Sequence, residues 1–352
     1  MVTQYPDYNE YIDIVAGRMA SVHQPFAGRI LAPEIARLVV VATGWAPAPV
    51  LGAISAVGWA LVPVLGAAYL WLRKLPLGWA IVIATVPFPA LSARFILVPD
   101  AWAICLVLSI FIALEMRKGA VAGALAFVLA FVRTSSILAV TLQFAADFRK
   151  TGLRMAAIIA AMFVVGVLIK MPLIHGNAGN QHQMSSVIYM IAKTPVNGMA
   201  NIFGVHLYTN TYPYCIRPVW STDIGQIRGL GNIHTVGVCP IEYQPVIVSL
   251  LCYASIFGLL PSIAAVRLFR MGFPRSMLTD IAARELAVFL AAVLLSPAFG
   301  LTITRLFVES YPLLFVAAGP IASGTVLTPR QLLAMVAFNL GALVLLAYVA
   351  PN

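Results

Sequence analysis

The sequence predicts an all-α membrane protein, and three observations carry that prediction. Of 352 residues, 61% are hydrophobic and 10% charged, against about 45–50% and about 25% in a soluble domain. Mean hydropathy is +0.95. The apolar residues form continuous blocks joined by short segments bearing Arg or Lys, the pattern of helices that cross a bilayer; a transmembrane barrel would alternate instead. A soluble enzyme, a coiled coil and a disordered chain are excluded on the same grounds. The net charge of +10 reads as basic cytoplasmic loops and not as a nucleic-acid surface, because no basic stripe with interleaved aromatics occurs.

In chain order, residues 1–48 precede the first apolar block. Tyr8, Ile12, Val15, Met19 and Val22 recur at three- and four-residue spacing, which predicts an amphipathic helix lying on the outer membrane surface. A break at His23-Gln24-Pro25 leads into Pro25-Phe26-Ala27-Gly28-Arg29-Ile30-Leu31-Ala32-Pro33 and a second helix from about Glu34. Blocks of about 15–24 apolar residues then give about ten spans. They lie near residues 49–72, 77–95, 101–116, 119–132, 135–147, 155–173, 246–266, 286–303, 307–327 and 332–349. The pair at 119–147 reads either as two half-helices or as one bent helix, with Arg133, Thr134, Ser135 and Ser136 between its parts. The chain thus divides into an external segment at 1–48, N-terminal transmembrane helices at 49–173, a long external loop at 174–245 and C-terminal transmembrane helices at 246–352.

Orientation follows from the basic joints. Arg73–Lys74, Arg117–Lys118, the group Arg149, Lys150 and Arg154, the group Arg267, Arg270, Arg275 and Arg284, and Arg330 occupy every other joint. Placed in the cytoplasm, they send residues 1–48, the joint at Arg94–Asp100, the turn at Arg133, the loop 174–245 and the joint at Arg305 to the outside. No charged segment followed by an apolar stretch precedes residues 1–48, so a first transmembrane helix is expected to be missing ahead of Met1, the alternative being unaided translocation.

Cys105 and Cys252 fall inside predicted spans, where a thiol acts as a small apolar residue. Cys215 and Cys239 share the external loop, where an oxidising compartment permits a disulfide; two free thiols are the alternative. The five histidines lie in external segments without HxxxH or HExxH spacing, so no metal ligands are assigned. No cofactor is required by the sequence, although a divalent metal stays open. Walker, GxSxG and Rossmann signatures are missing from the sequence.

The string Pro25-Phe26-x-x-Arg29-x-Leu31-x-Pro33 stands before a membrane helix, with Asp7 among tyrosines ahead of it. Pro99-Asp100 opens a span, Phe131-Val132-Arg133-Thr134-Ser135 forms an Arg-centred turn, and Arg305-(x)6-Pro312 starts a late helix. Together these resemble bacterial polytopic membrane glycosyltransferases of the C-type, polyprenyl-phosphate-sugar-dependent superfamily, subfamily unassigned. The resemblance covers most of the chain. It implies a polyprenyl-phosphate-linked sugar as donor and a lipid-linked glycan, polysaccharide or protein as acceptor, at the external face of a bacterial inner membrane. Members carry a first span ahead of this loop, which this sequence lacks, and many have paired acids where Asp7 is followed only later by Glu10 and Asp13.

Such a transfer needs a carboxylate to take the acceptor's proton and positive charge to stabilise the departing phosphate. Asp7 is the leading base, with Asp13 second, and Tyr5, Tyr8 and Tyr11 beside them can line a sugar site. The alternatives are that Asp7 caps its helix and that Asp13 is a solvated polar-face residue. Arg29, held between two prolines, and Arg94, Arg133 and Arg305 at external ends of spans are phosphate candidates; separate headgroup contacts explain each equally. Asp100 can bind substrate, pair with one of these arginines, hold a metal or cap its helix. Glu309, four residues after Arg305, reads as its ion-pair partner. Trp220 and the amides of the long loop suit carbohydrate stacking, or a lid that only packs. Two readings from other classes stay open: a polytopic transporter or lipid flippase, and an inactive or truncated membrane assembly partner. A transporter would show inverted repeats and charge at mid-depth; no repeat is visible, and the unexplained charges gather at the outer ends of spans.

Overall fold

Prolines and glycines set the helix boundaries in the computed structural model, which describes residues 6–19, 22, 29–94, 98, 100–175, 205–209, 220–223, 235–240, 254–296, 307–322 and 326–349. Helix α1 (Pro6–Val15) precedes α2 (Leu31–Thr43), which stops at Gly44 in the left-handed conformation, its N–H bonded to the Val40 carbonyl. Helix α3 (Pro47–Leu72) opens on Pro47, whose missing N–H costs nothing in a first turn. The span expected at 77–95 is two helices, α4 (Leu77–Ala84) and α5 (Pro87–Ser92). Pro87 cannot donate to the Ile83 carbonyl, and the Tyr311 hydroxyl donates to that oxygen instead, at 3.3 Å.

Helices α6 (Asp100–Glu115) and α7 (Gly119–Val132) follow. A 3-10 turn (Thr134–Ser136), α8 (Ile137–Ala146) and α9 (Phe148–His175) come next, with Gly152 non-helical within α9. The C-terminal part contains α10 (Leu260–Arg270), α11 (Ser276–Thr279), α12 (Ile281–Leu295), α13 (Ser310–Ala322) and α14 (Pro329–Val349).

Among the described residues, three helical stretches are long and apolar enough to cross a membrane: Pro47–Leu72, Gly152–Lys170 and Pro329–Tyr348. Much of their apolar surface faces outward, with Leu168 61%, Leu333 70% and Val344 70% exposed. In water such faces would drive association; in a bilayer, hydrocarbon covers them. Helices α7 and α13 are apolar but shorter, and fourteen residues reach only about 21 Å against a hydrocarbon core of about 30 Å. Helix α7 packs on α9 through glycines. A β-carbon at Gly166 would lie 2.8 Å from the Phe127 carbonyl, and one at Gly123 would lie 2.9 Å from Ile158, so hydrogen alone permits this approach.

Contacts sort the helix ends into two sets. Arg73, after α3, meets Glu115 at the end of α6 and Glu285 in the first turns of α12. Arg267 in the last turn of α10 donates to the Pro320 carbonyl, and Arg284 donates to the Ala146 carbonyl ending α8. At the other end, Asp100 opening α6, Arg133 closing α7 and Glu309 preceding α13 meet one another, and Lys170 of α9 reaches Thr134. The joints at 73, 115, 146 and 267–285 therefore share one end, and those at 100, 133, 170 and 309 share the opposite one. Because Ala146 returns to the Arg73 end, the 119–147 segment is an antiparallel pair of short helices and not one bent helix.

Two expectations are modified. The apolar face of α1 is not laid on a membrane surface. Tyr8, Tyr11, Ile14 and Val15 are buried in a cluster with Ala36 of α2, Val50 and Leu51 of α3, and Val98. The segment expected as a long loop carries strands β1 (Val205–Thr209), β2 (Trp220–Asp223) and β3 (Thr235–Pro240), paired antiparallel in the order β1-β3-β2. Among the described residues, this small sheet is an addition to an otherwise helical fold.

Candidate functional site at the Arg133 end

The site is built where α7 stops. Arg133 leaves the helix in extended conformation, its N–H still bonded to the Leu129 carbonyl, and its own carbonyl accepts from Ser136 to start the 3-10 turn. This reversal turns the Arg133 side chain inward, where it is buried. Its Nη1 lies 2.5 Å from Asp100 Oδ1 and its Nε 2.8 Å from Glu309 Oε1. Ser135 Oγ donates to the same Glu309 oxygen at 2.7 Å. Glu309 Oε2 is buried and has no hydrogen-bond partner among the described residues. Removing such charges from water costs several kcal/mol per ion, so a guanidinium shared by two carboxylates is held by opposing charge and geometry together.

One residue along, Thr134 faces a second buried charge. Lys170 Nζ donates to Thr134 Oγ1 and to the Ala130 carbonyl, each at 2.7 Å. Ala130 lies in the last turn of α7, where carbonyls lose their helical donors and a cation complements the dipole. Among the described residues, no carboxylate lies within ion-pair distance of this ammonium. Arg29 is near enough to act on it electrostatically, and Arg29 Nη1 donates to the Tyr11 hydroxyl at 3.0 Å. The turn at Thr134–Ser135 thus joins a carboxylate with an unused oxygen to a buried ammonium bonded to neutral acceptors.

The structure brings some of the expected site residues together and separates others. Asp100 pairs with Arg133, one of the four roles open to it. Arg133 is engaged by acids, so an anion would have to compete with Asp100 and Glu309 for it. Glu309 bonds Arg133 and Ser135; Arg305, expected to hold it, lies outside the described residues. Asp13 is tied to Arg18 on the surface of α1, with the Arg18 side chain 61% exposed. A pair so placed is worth about 0–1 kcal/mol. Tyr8 and Tyr11 are buried packing residues and not the walls of an open sugar site. Tyr8 donates to the Arg94 carbonyl at 3.4 Å, and Arg94 itself is exposed. Asp7 stands in the first turn of α1, but its side chain is outside the described set. Tyr5 and Cys215 are outside it as well. Trp220 opens β2, and Cys239 sits in β3 opposite His206.

Sequence reasoning missed Lys170. The signal was present: it is the sole charge in the apolar run 155–173, and an ionisable residue within a predicted span is a functional suspect. Among the described residues, no group of three His, Cys, Asp or Glu is placed to hold a metal ion.

At the opposite end, Arg73 donates to Glu285 at 3.1 Å and to the Val316 carbonyl at 2.9 Å. That carbonyl is vacant because Pro320, four residues on in α13, has no N–H to offer. Burial pulls the Arg73 pKa down, but the Tyr69 oxygen and the Glu285 carboxylate outweigh it, and the guanidinium stays charged.

Comparison with protein-family models, with curated proteins and with solved structures finds no match to this chain.

Proposed function

We propose that this protein is a membrane glycosyltransferase that moves a sugar from a polyprenyl-phosphate donor to a lipid-linked glycan, polysaccharide or protein acceptor. In this reading the Arg133 end faces the exterior of a bacterial inner membrane. The observation that carries the reading is the turn at Thr134–Ser135, which links the carboxylate of Glu309 to the ammonium of Lys170 at the end of a membrane-spanning helix. Transfer from a lipid phosphate requires these two kinds of group. Their position at helix ends suits a reaction at a membrane surface, whereas a transporter would place its charges at mid-depth.

The acceptor hydroxyl attacks the anomeric carbon, the bond from that carbon to the phosphate oxygen breaks, and the lipid phosphate departs as the anion. The hydroxyl proton passes to a carboxylate. Asp7 holds that role by resemblance, and Glu309 is the buried carboxylate with a free oxygen. Lys170 and Arg29 supply the positive charge for the departing phosphate, while Asp100 and Arg133 position the turn. An apolar cleft of about 290 Å³ between α3, α5 and Tyr311 offers the surface a hydrocarbon chain needs.

The test is transfer by the whole protein in liposomes supplied with polyprenyl-phosphate sugars of several sugar classes. Wild-type protein releases polyprenyl phosphate, and Lys170→Gln, which keeps a donor for Ala130 but loses the charge, slows release by about 100-fold or more. Release at the wild-type rate by Lys170→Gln removes the lysine from the mechanism. A wild-type protein that cleaves none of the donors removes the reading.

A further inference from the structure

The Arg73 end carries a second feature that the proposed chemistry does not use. A cavity of about 800 Å³ opens between the ends of α3, α10 and α13 and the start of α12, a size suited to a small ligand or headgroup. Its charges divide unevenly. Arg73 is taken by Glu285 and the Val316 carbonyl, and Asp280 caps α12 by accepting from the Ala282 N–H at 2.8 Å. Arg267 donates to the Pro320 carbonyl, a neutral acceptor in the last turn of α13. Arg270 is exposed, and among the described residues its side chain makes no hydrogen bond or ion pair. Both acids on the wall are therefore occupied, and among the described residues neither Arg267 nor Arg270 has a carboxylate partner.

Apolar side chains that neighbour the cavity-lining residues in sequence are exposed where water would be expected. Phe269 is 75% exposed and Leu278 83%, and Phe273 stands beside Phe269 with ring centroids 6.4 Å apart. Arginines alternating with exposed aromatic and aliphatic side chains at the end of a helical bundle form the chemistry of a bilayer interface, in which apolar groups enter the acyl boundary and cations meet headgroup phosphates. We infer that this cavity binds the phosphate-bearing headgroup of an anionic phospholipid from the adjoining leaflet. Arg267 and Arg270 contact the phosphate, and Phe269, Phe273 and Leu278 lie against the acyl chains. The site is at the opposite end from the Lys170 turn and does not depend on the glycosyltransferase reading.

The experiment uses the full chain in zwitterionic nanodiscs doped with phosphatidylglycerol, with bound lipid counted by native mass spectrometry after release. Arg270→Gln breaks no side-chain hydrogen bond or ion pair among the described residues and so tests the site with little disturbance; Arg267→Gln is the second variant. Arg330→Gln, an exposed arginine outside the cavity, controls for loss of charge alone. Phosphatidylglycerol is expected to be retained in preference to phosphatidylcholine by wild-type protein and Arg330→Gln. Each cavity variant is expected to lose that preference by about tenfold, the order of a lost charge-assisted contact. Retention unchanged in Arg270→Gln and Arg267→Gln, or equal retention of both lipids by wild-type protein, overturns the site. Displacement of the lipid by millimolar inorganic phosphate or glycerol phosphate would identify a soluble anion as the ligand and overturn the lipid assignment.

Discussion

Glu309 Oε1 accepts hydrogen bonds from Arg133 Nε at 2.8 Å and from Ser135 Oγ at 2.7 Å, although 176 residues separate Arg133 from Glu309. This pair fastens the start of α13 to the turn after α7, while Asp100 fastens the start of α6 to the same guanidinium. Arg133→Met would leave two carboxylates buried without their cation, a loss of about 3–5 kcal/mol. Thermal unfolding in detergent should fall well below wild type. Arg133→Lys should rescue only part of this, because an ammonium cannot present the planar fork that reaches both acids.

At the other end, Arg73 and Glu285 should show coupling. Arg73→Met strands a buried carboxylate and the Val316 carbonyl together, whereas the double variant Arg73→Met/Glu285→Leu removes the stranded charge. The double variant should therefore be less destabilised than the sum of the single variants, by about 0.5–3 kcal/mol in a mutant cycle. Strict additivity would show that the contact carries no coupling.

Packing of α7 on α9 gives a prediction independent of charge. Gly166→Ala places a methyl against the Phe127 carbonyl and the Ala130 side chain, an overpacking cost of about 1–3 kcal/mol. Gly152→Ala meets no atom within 4 Å and acts only through its left-handed φ of 71°. Detergent melting curves should rank Gly166→Leu, then Gly166→Ala, as increasingly close to wild type.

The two-ended arrangement can be read directly in cells. Single cysteines at Arg94 and Leu278, both exposed, in a background with the other cysteines replaced, should label from opposite sides of the membrane, with Arg94→Cys reacting from outside. Labelling of both from one side would break the alternation on which the orientation rests.

Much of this was legible in the sequence because charge in an apolar chain is conspicuous. The basic joints gave the alternation of ends, and Arg133 and Asp100 stood out as charges at span ends before their contact was visible. What stayed hidden depends on distance along the chain or on proline. Arg73 and Glu285 are 212 residues apart, and no local pattern announces such a pair. Lys170 was absorbed into a span because one lysine hardly alters the hydropathy of its window. Tyr8 and Tyr11 read as sugar-lining residues because they stand beside Asp7 in sequence, and nearness along the chain does not show whether protein covers a ring. The break between α4 and α5 was lost to the same averaging, although Pro87 marked the carbonyl that Tyr311 satisfies.

The most direct measurement is the affinity of the whole protein in nanodiscs for a polyprenyl monophosphate, with the matching polyprenyl alcohol as comparison. The phosphate is expected to bind at least tenfold more tightly than the alcohol, with Lys170→Gln abolishing the difference and Arg270→Gln at the far end leaving it intact. Equal affinity for phosphate and alcohol, or a preference that survives Lys170→Gln, would contradict a lipid-phosphate site at the Thr134–Ser135 turn.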